Sequence, residues 1–169
     1  MNSIGLIELS SVAAGYQVAD KMIKTAAVEL LLMRTICSGK FIILIGGEVA
    51  EVTSSVESGV ASGDAAVIDS FVIPNVHPQV FDALKAITKV EKLEALGIIE
   101  AFSVSSLIEA ADAAVKSASV NLIEIRLAMA LGGKAFVTLT GEVEAVTAAI
   151  ETGSMMVSKK GLLVNSVVI

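Results

Sequence analysis

The chain holds one cysteine (Cys37), one histidine (His77), two prolines and no tryptophan, and its aromatics amount to 4%. A single cysteine excludes an intrachain disulfide, and no CxxC-type spacing suggests a zinc site. So few aromatics leave little from which to build a stacking-based ligand pocket. Basic residues are also few: 12 Lys and Arg stand against 18 Asp and Glu, for a net charge of −6. They are scattered, without interleaved aromatics. Nucleic acid needs cations to replace its counterions, so it is not an expected partner. Long hydrophobic runs are missing as well, although 54% of residues are hydrophobic and mean hydropathy is +0.81. The longest stretch without a charge, Ser70 to Phe81, contains both prolines and His77. It is too short and too broken to span a bilayer. The N-terminus lacks the basic-then-apolar order of a signal peptide. These absences predict a soluble cytoplasmic protein with no membrane partner, whose excess apolar surface is buried against other subunits.

What the chain does have is a copy of itself. Residues 5–34 align without gaps on residues 97–126, an offset of 92, with 12 of 30 positions identical. Residues 40–59 align on 134–153, an offset of 94, with 8 of 20 identical. Chance would give about two matches in the first window, so this is a duplication and governs the reading of the fold. The two-residue slip falls between Arg34 and Lys40, in TICSG against LAMALGG, and Cys37 lies inside it. The copies agree in their scaffold and differ at one short loop.

Each copy reads as β-α-β-β-α-β. Residues 3–10 are strand-like, and 12–26 carry Val12, Tyr16, Ala19, Met22, Ile23 and Ala26 near helical spacing after a plausible N-cap at Ser11. Residues 28–36 and 41–47 are two apolar strands joined by a tight link containing Gly39. A second helix at 48–63 begins with acidic residues, which the helix dipole favours there. A fourth strand at 65–73 stops at Pro74, and 77–87 reads as a short third helix. The charged segment 88–95 links this copy to the next, which runs from Leu96 to Ile169. The expectation is an α+β protein of two domains, 1–90 and 91–169, each an antiparallel sheet flanked by helices. The apolar pair at 28–47 suggests a sheet covered on both sides or pressed to a neighbour.

The residues also carry an ordered set of motifs. These are GLIEL; Asp20, Met22, Lys24, Ala26 and Val28 at alternate positions; a glycine-containing loop; G-E-V-x-x-V at Gly47–Val52; Glu57 to Gly59; and Val72 to His77. Together they resemble bacterial microcompartment shell proteins, and the duplication resembles their tandem-domain class. That resemblance covers essentially the whole chain. It implies a homotrimer that looks six-fold, tiles edge to edge with other shell proteins, and has no enzymatic activity. More narrowly, TICSGKF (35–41) is similar to the pore loop of tandem shell proteins from propanediol-utilising compartments, which carry an iron–sulfur cluster at the pore.

Read through that resemblance, Cys37 is the metal-ligating candidate. Three copies around a three-fold axis would bring three thiolates to one [4Fe–4S] cluster, which ordinarily takes four. Such a cluster implies electron transfer across the shell or cluster delivery, with an encapsulated redox enzyme as a further partner. Met129, near the Cys37 position in copy two, is given no metal role. Ser38, Gly39 and Lys40, with Leu131, Gly132 and Gly133 from copy two, are the expected pore rim. Lys24 and Lys116 are the expected tile-edge contacts. Two other readings stand beside this one: a shell tile whose pore passes a metabolite with Cys37 unliganded, and a soluble α+β regulatory pair that binds a small effector. His77 is read as a capping or packing residue. Glu8, Glu100, Glu48 and Glu142 are read as scaffold carboxylates, because no nucleophile or base accompanies them.

Overall fold

A computed structural model describes residues 2–169. The chain divides into two compact units, Met1–Val76 and His77–Ile169. The first unit contains β1 (Ser3–Leu9), α1 (Val12–Thr25), β2 (Glu29–Ile36), β3 (Lys40–Gly47), α2 (Val49–Gly63) and β4 (Val67–Ile73). Its sheet is antiparallel, ordered β2-β3-β1-β4, with Leu6 opposite Leu44 and Phe71. The expected 65–73 strand is shorter, because residues 64–66 form a 3-10 turn instead. The β-rich sequence there begins only after Asp64, whose positive φ turns the chain.

The second unit opens with α3 (Pro78–Leu84). It continues with β5 (Ala95–Ala101), α4 (Val104–Ser117), β6 (Asn121–Arg126), β7 (Ala135–Gly141), α5 (Val143–Lys159) and β8 (Leu163–Val168). Its sheet order, β6-β7-β5-β8, repeats that of the first unit. The sequence reading grouped residues 77–90 with the first copy; helix α3 packs on β6 and α4 of the second unit.

Helix starts follow their caps. Ala14 N donates to Ser11 Oγ at 3.3 Å, and Ser106 N donates to Ser103 Oγ at 3.0 Å. Both bonds satisfy an amide that the first helical turn leaves unpaired.

In the first unit α1 and α2 cover one sheet face. Ile7, Leu9, Phe41, Ile43 and Ile45 from the strands meet Val18, Ala19, Met22, Val52 and Val56 from the helices. Side chains alternate along a strand, so Ile4, Leu6 and Glu8 lie on the opposite face.

One core exchange separates the copies. At Gly15 an added Cβ would lie 2.2 Å from Phe41, so only glycine fits under that ring. The repeat-equivalent positions hold Leu107 and Ala135, both fully buried. A large residue has moved from strand to helix, which keeps the volume of a close-packed layer.

Candidate functional site: the β2–β3 loop and its counterpart

Strand β2 ends at Ile36 and gives way to a 3-10 turn, Cys37–Gly39. Ser38 and Gly39 take φ values of 66° and 71°, a left-handed step that reverses the chain within three residues. Both are exposed, and a Cβ on Gly39 would meet nothing within 4 Å. Cys37 is half-buried at the root of this tip.

In copy two the loop is longer and more contorted. Ala128 and Ala130 have φ of 35° and 57°, and Gly132 and Gly133 have 62° and 89°. Leu127 and Ala128 are buried, whereas Met129 and Gly132 are exposed. Leu131 and Gly133 are half-buried, and Lys134 N closes the turn onto Leu131 O at 3.2 Å. The sequence-predicted rim residues therefore lie in matching loops of their respective units. Among the described residues no three His, Cys, Asp or Glu side chains converge within one chain as a metal site. A thiol is the donor class an iron–sulfur cluster takes. Cys37 supplies that donor two residues before Gly39, where an added Cβ would meet nothing within 4 Å.

Lys40 does not project from the rim as an unengaged cation. Its Nζ lies 2.7 Å from Glu8 Oε1, and the Glu8 side chain is 3% exposed. Copy two repeats the pair as Lys134 and Glu100 at 2.6 Å. The scaffold role expected of Glu8 and Glu100 is thereby given a form: each anchors the end of a loop to the central strand. Glu48 and Glu142 stand at the N-caps of α2 and α5.

Each edge-lysine candidate pairs with an aspartate one turn earlier. Lys24 Nζ lies 2.7 Å from Asp20, and its side chain is 70% exposed. Lys116 pairs with Asp112, which is buried. Asp112 also accepts the His77 backbone N–H at 2.8 Å. His77 caps α3 as expected, with its Nδ1 accepting from Gln79 N at 3.4 Å.

The sequence reading missed an asymmetry between the copies. Val12, Tyr16 and Ile23, placed by periodicity on the apolar face of α1, are 37%, 59% and 45% exposed. Their counterparts on α4, Val104, Ile108 and Val115, are buried. The sheet faces show the reverse. Ile4, Leu6, Ile42 and Leu44 are fully buried in copy one, whereas Leu96, Ile98, Phe136 and Thr138 are half-buried in copy two. The signal available in the sequence was an apolar arc on α1 too wide for a single core contact.

A duplicated four-stranded α+β unit with this sheet order, and a loop as the site of divergence, defines the class. The chain belongs to the BMC domain family, whose model matches residues 3–76 and again 95–169. It is 40% identical to the bacterial microcompartment shell protein PduT of Citrobacter freundii, over 96% of this chain and 88% of that one. It is 29% identical to the carboxysome assembly protein CcmO of a Synechococcus species, over 95% of this chain and 62% of that one. Among solved structures, a microcompartment protein from Desulfitobacterium hafniense superposes with a TM-score of 0.93 at 51% identity, covering 100% of this chain and 94% of that one. The fused permuted hexameric shell protein MSM0275 shares the fold, with a TM-score of 0.68 at 20% identity, over 92% of this chain and 81% of that one. The protein is a structural microcompartment shell protein of the tandem type, in a family of shell components rather than of enzymes. No helix among the described residues is long and apolar enough to cross a membrane.

Proposed function

We propose that three copies of the chain close into a ring that tiles the shell, and that the three Cys37 loops meet at its axis to hold one [4Fe–4S] cluster. The cluster reading is carried by one observation. The loop at which two otherwise matching copies diverge has the chain's single thiol at its turn, two residues before Gly39, where an added Cβ would meet nothing within 4 Å. The ring is supported by the asymmetry between the copies. A helix face open in copy one and a sheet face open in copy two are each buried in the opposite copy. Two different surfaces that complement each other make a head-to-tail contact, and such contacts close into rings. Tile-edge contacts through Lys24 and Lys116 belong to the same reading.

Bound by Cys37, the cluster would supply one-electron redox chemistry, serving electron passage across the shell or cluster delivery to an enclosed enzyme. The chain itself contributes the thiol, the backbone amides of Ser38 and Gly39 as donors towards sulfur, and a loop end fixed by the Lys40–Glu8 pair. The test is anaerobic purification with iron and sulfide counts and reduced-state EPR. About four irons per three chains, lost in Cys37→Ser, is the expected result. Rings that stay colourless after reconstitution would overturn the cluster and leave the loop as a metabolite pore. A monomeric protein that never forms sheets would overturn the tile.

A further inference from the structure

The two copies treat the basic residues beside their divergent loops differently. In copy two both are paired. Arg126, at the end of β6, meets Glu124 at 2.6 Å and lies 5.5 Å over the Phe136 ring. Lys134, where the loop returns, meets Glu100 at 2.6 Å. In copy one only the lysine is paired, Lys40 to Glu8 at 2.7 Å.

Arg34 occupies the Arg126 position, 92 residues earlier. The same offset puts Leu32 where copy two has Glu124, and the offset of 94 beyond the loop puts Ile42 where it has Phe136. Neither residue offers a guanidinium a charge or a ring face. Arg34 is half-buried, its Nε is closed to solvent, and that atom has no hydrogen-bond partner. Among the described residues no carboxylate pairs with this arginine. A donor that has lost its water without gaining an acceptor is costly, so its partner is to be sought outside the chain.

Strand pairing fixes where this cation lies. Arg34 is opposite Ile42, and Ile42 is opposite Glu8, so the arginine shares a sheet face with the Lys40–Glu8 pair. Ile36 is the next residue of β2 on that face, and Cys37 follows it directly. The copy that carries the thiol is therefore the copy whose loop-flanking arginine lacks a counter-charge.

We propose that Arg34 supplies the counter-charge for the cluster at Cys37 and raises its reduction potential, an inference that rests on the cluster reading above. Three thiolates make such a centre anionic, and reduction by one electron adds a further negative charge. A guanidinium that no carboxylate neutralises favours the more negative form, and its partial burial preserves its field. Lys40 contributes less, because Glu8 offsets its charge. Arg34 is not a ligand in this account; it acts through its charge.

The experiment is an EPR-monitored redox titration of the anaerobically purified whole protein, with dithionite as reductant and iron and sulfide counted alongside. Arg34→Met should lower the ratio of reduced to oxidised cluster at a fixed potential at least tenfold, a fall of about 59 mV for a one-electron couple. Arg34→Lys should restore most of that loss. Leu32→Glu keeps the arginine but rebuilds the copy-two pair, and it should shift the potential in the same direction as Arg34→Met. An unchanged potential in Arg34→Met with its iron intact would overturn the proposal. Should Arg34→Met lose its iron, Leu32→Glu decides, and an unchanged potential there overturns the proposal equally. Wild-type protein that takes up no iron on reconstitution would overturn the cluster reading and this inference with it, whereas a bound cluster indifferent to these charges would overturn only the part given to Arg34.

Discussion

Lys40 Nζ sits 2.7 Å from Glu8 Oε1, so the chain leaves the β2–β3 turn with its first side chain tied to the central strand. Strand pairing puts Glu8 opposite Ile42, two residues beyond Lys40 and on the same sheet face. Truncation as Lys40→Met strands a carboxylate that is almost wholly buried. The loss should be about 2 kcal/mol, moderated because water reaches the lysine end. Replacing both residues, Lys40→Met with Glu8→Leu, should recover most of it, because no buried charge then lacks a partner. Urea unfolding of the two variants measures both effects.

Phe41 and Gly15 form a second pair whose logic the other copy reverses. Phe41→Ala should cost about 3–5 kcal/mol, from lost burial plus the cavity it leaves. Gly15→Leu alone should be at least as harmful, since its Cβ would lie 2.2 Å from the ring. Combined, they recreate the Leu107–Ala135 arrangement of copy two. The double variant should be more stable than the sum of the single losses predicts, and thermal unfolding of all four proteins tests that coupling.

Tyr16 packs against Phe41 with ring centroids 5.2 Å apart, yet remains 59% exposed. If that face is the ring contact, Tyr16→Glu should convert trimers to single chains while leaving each fold intact. Sedimentation velocity reads the mass, and circular dichroism reads the fold. Trimers that persist at low micromolar concentration would place the ring contact elsewhere.

On the proposed tiling through Lys24 and Lys116, Lys24→Asp with Lys116→Asp should prevent extended sheets in electron micrographs while leaving the mass of the proposed trimer unchanged. The two sites should differ in stability cost. Lys116 pairs with buried Asp112, which also holds α3 through His77 N, whereas Lys24 and Asp20 are both largely exposed. Melting temperature should therefore fall more for Lys116→Asp than for Lys24→Asp.

Much of the fold was legible because periodicity is local. Ser11 announced its helix, Pro74 ended its strand, and the copy-to-copy match supplied each element twice. The 3-10 turn at 64–66 was not legible, because β-rich residues follow it without a break and only Asp64's backbone reverses the chain. At the site, the loop and its lone thiol stood out as the break in the repeat. Lys40 was read as rim because its partner, Glu8, is 32 residues away, and only strand pairing brings the two together.

The sequence by itself determined that there are two units of one architecture, the order of their helices and strands, and that a single loop differs between them. Those facts follow from local propensity and from self-similarity, which need no third dimension. Only the tertiary structure decided which apolar faces are covered. Ile23 and Val115 occupy the same place in their repeats, yet one is open and the other buried. Burial depends on what else reaches a surface, and that is a property of the assembled chain rather than of any residue's own pattern.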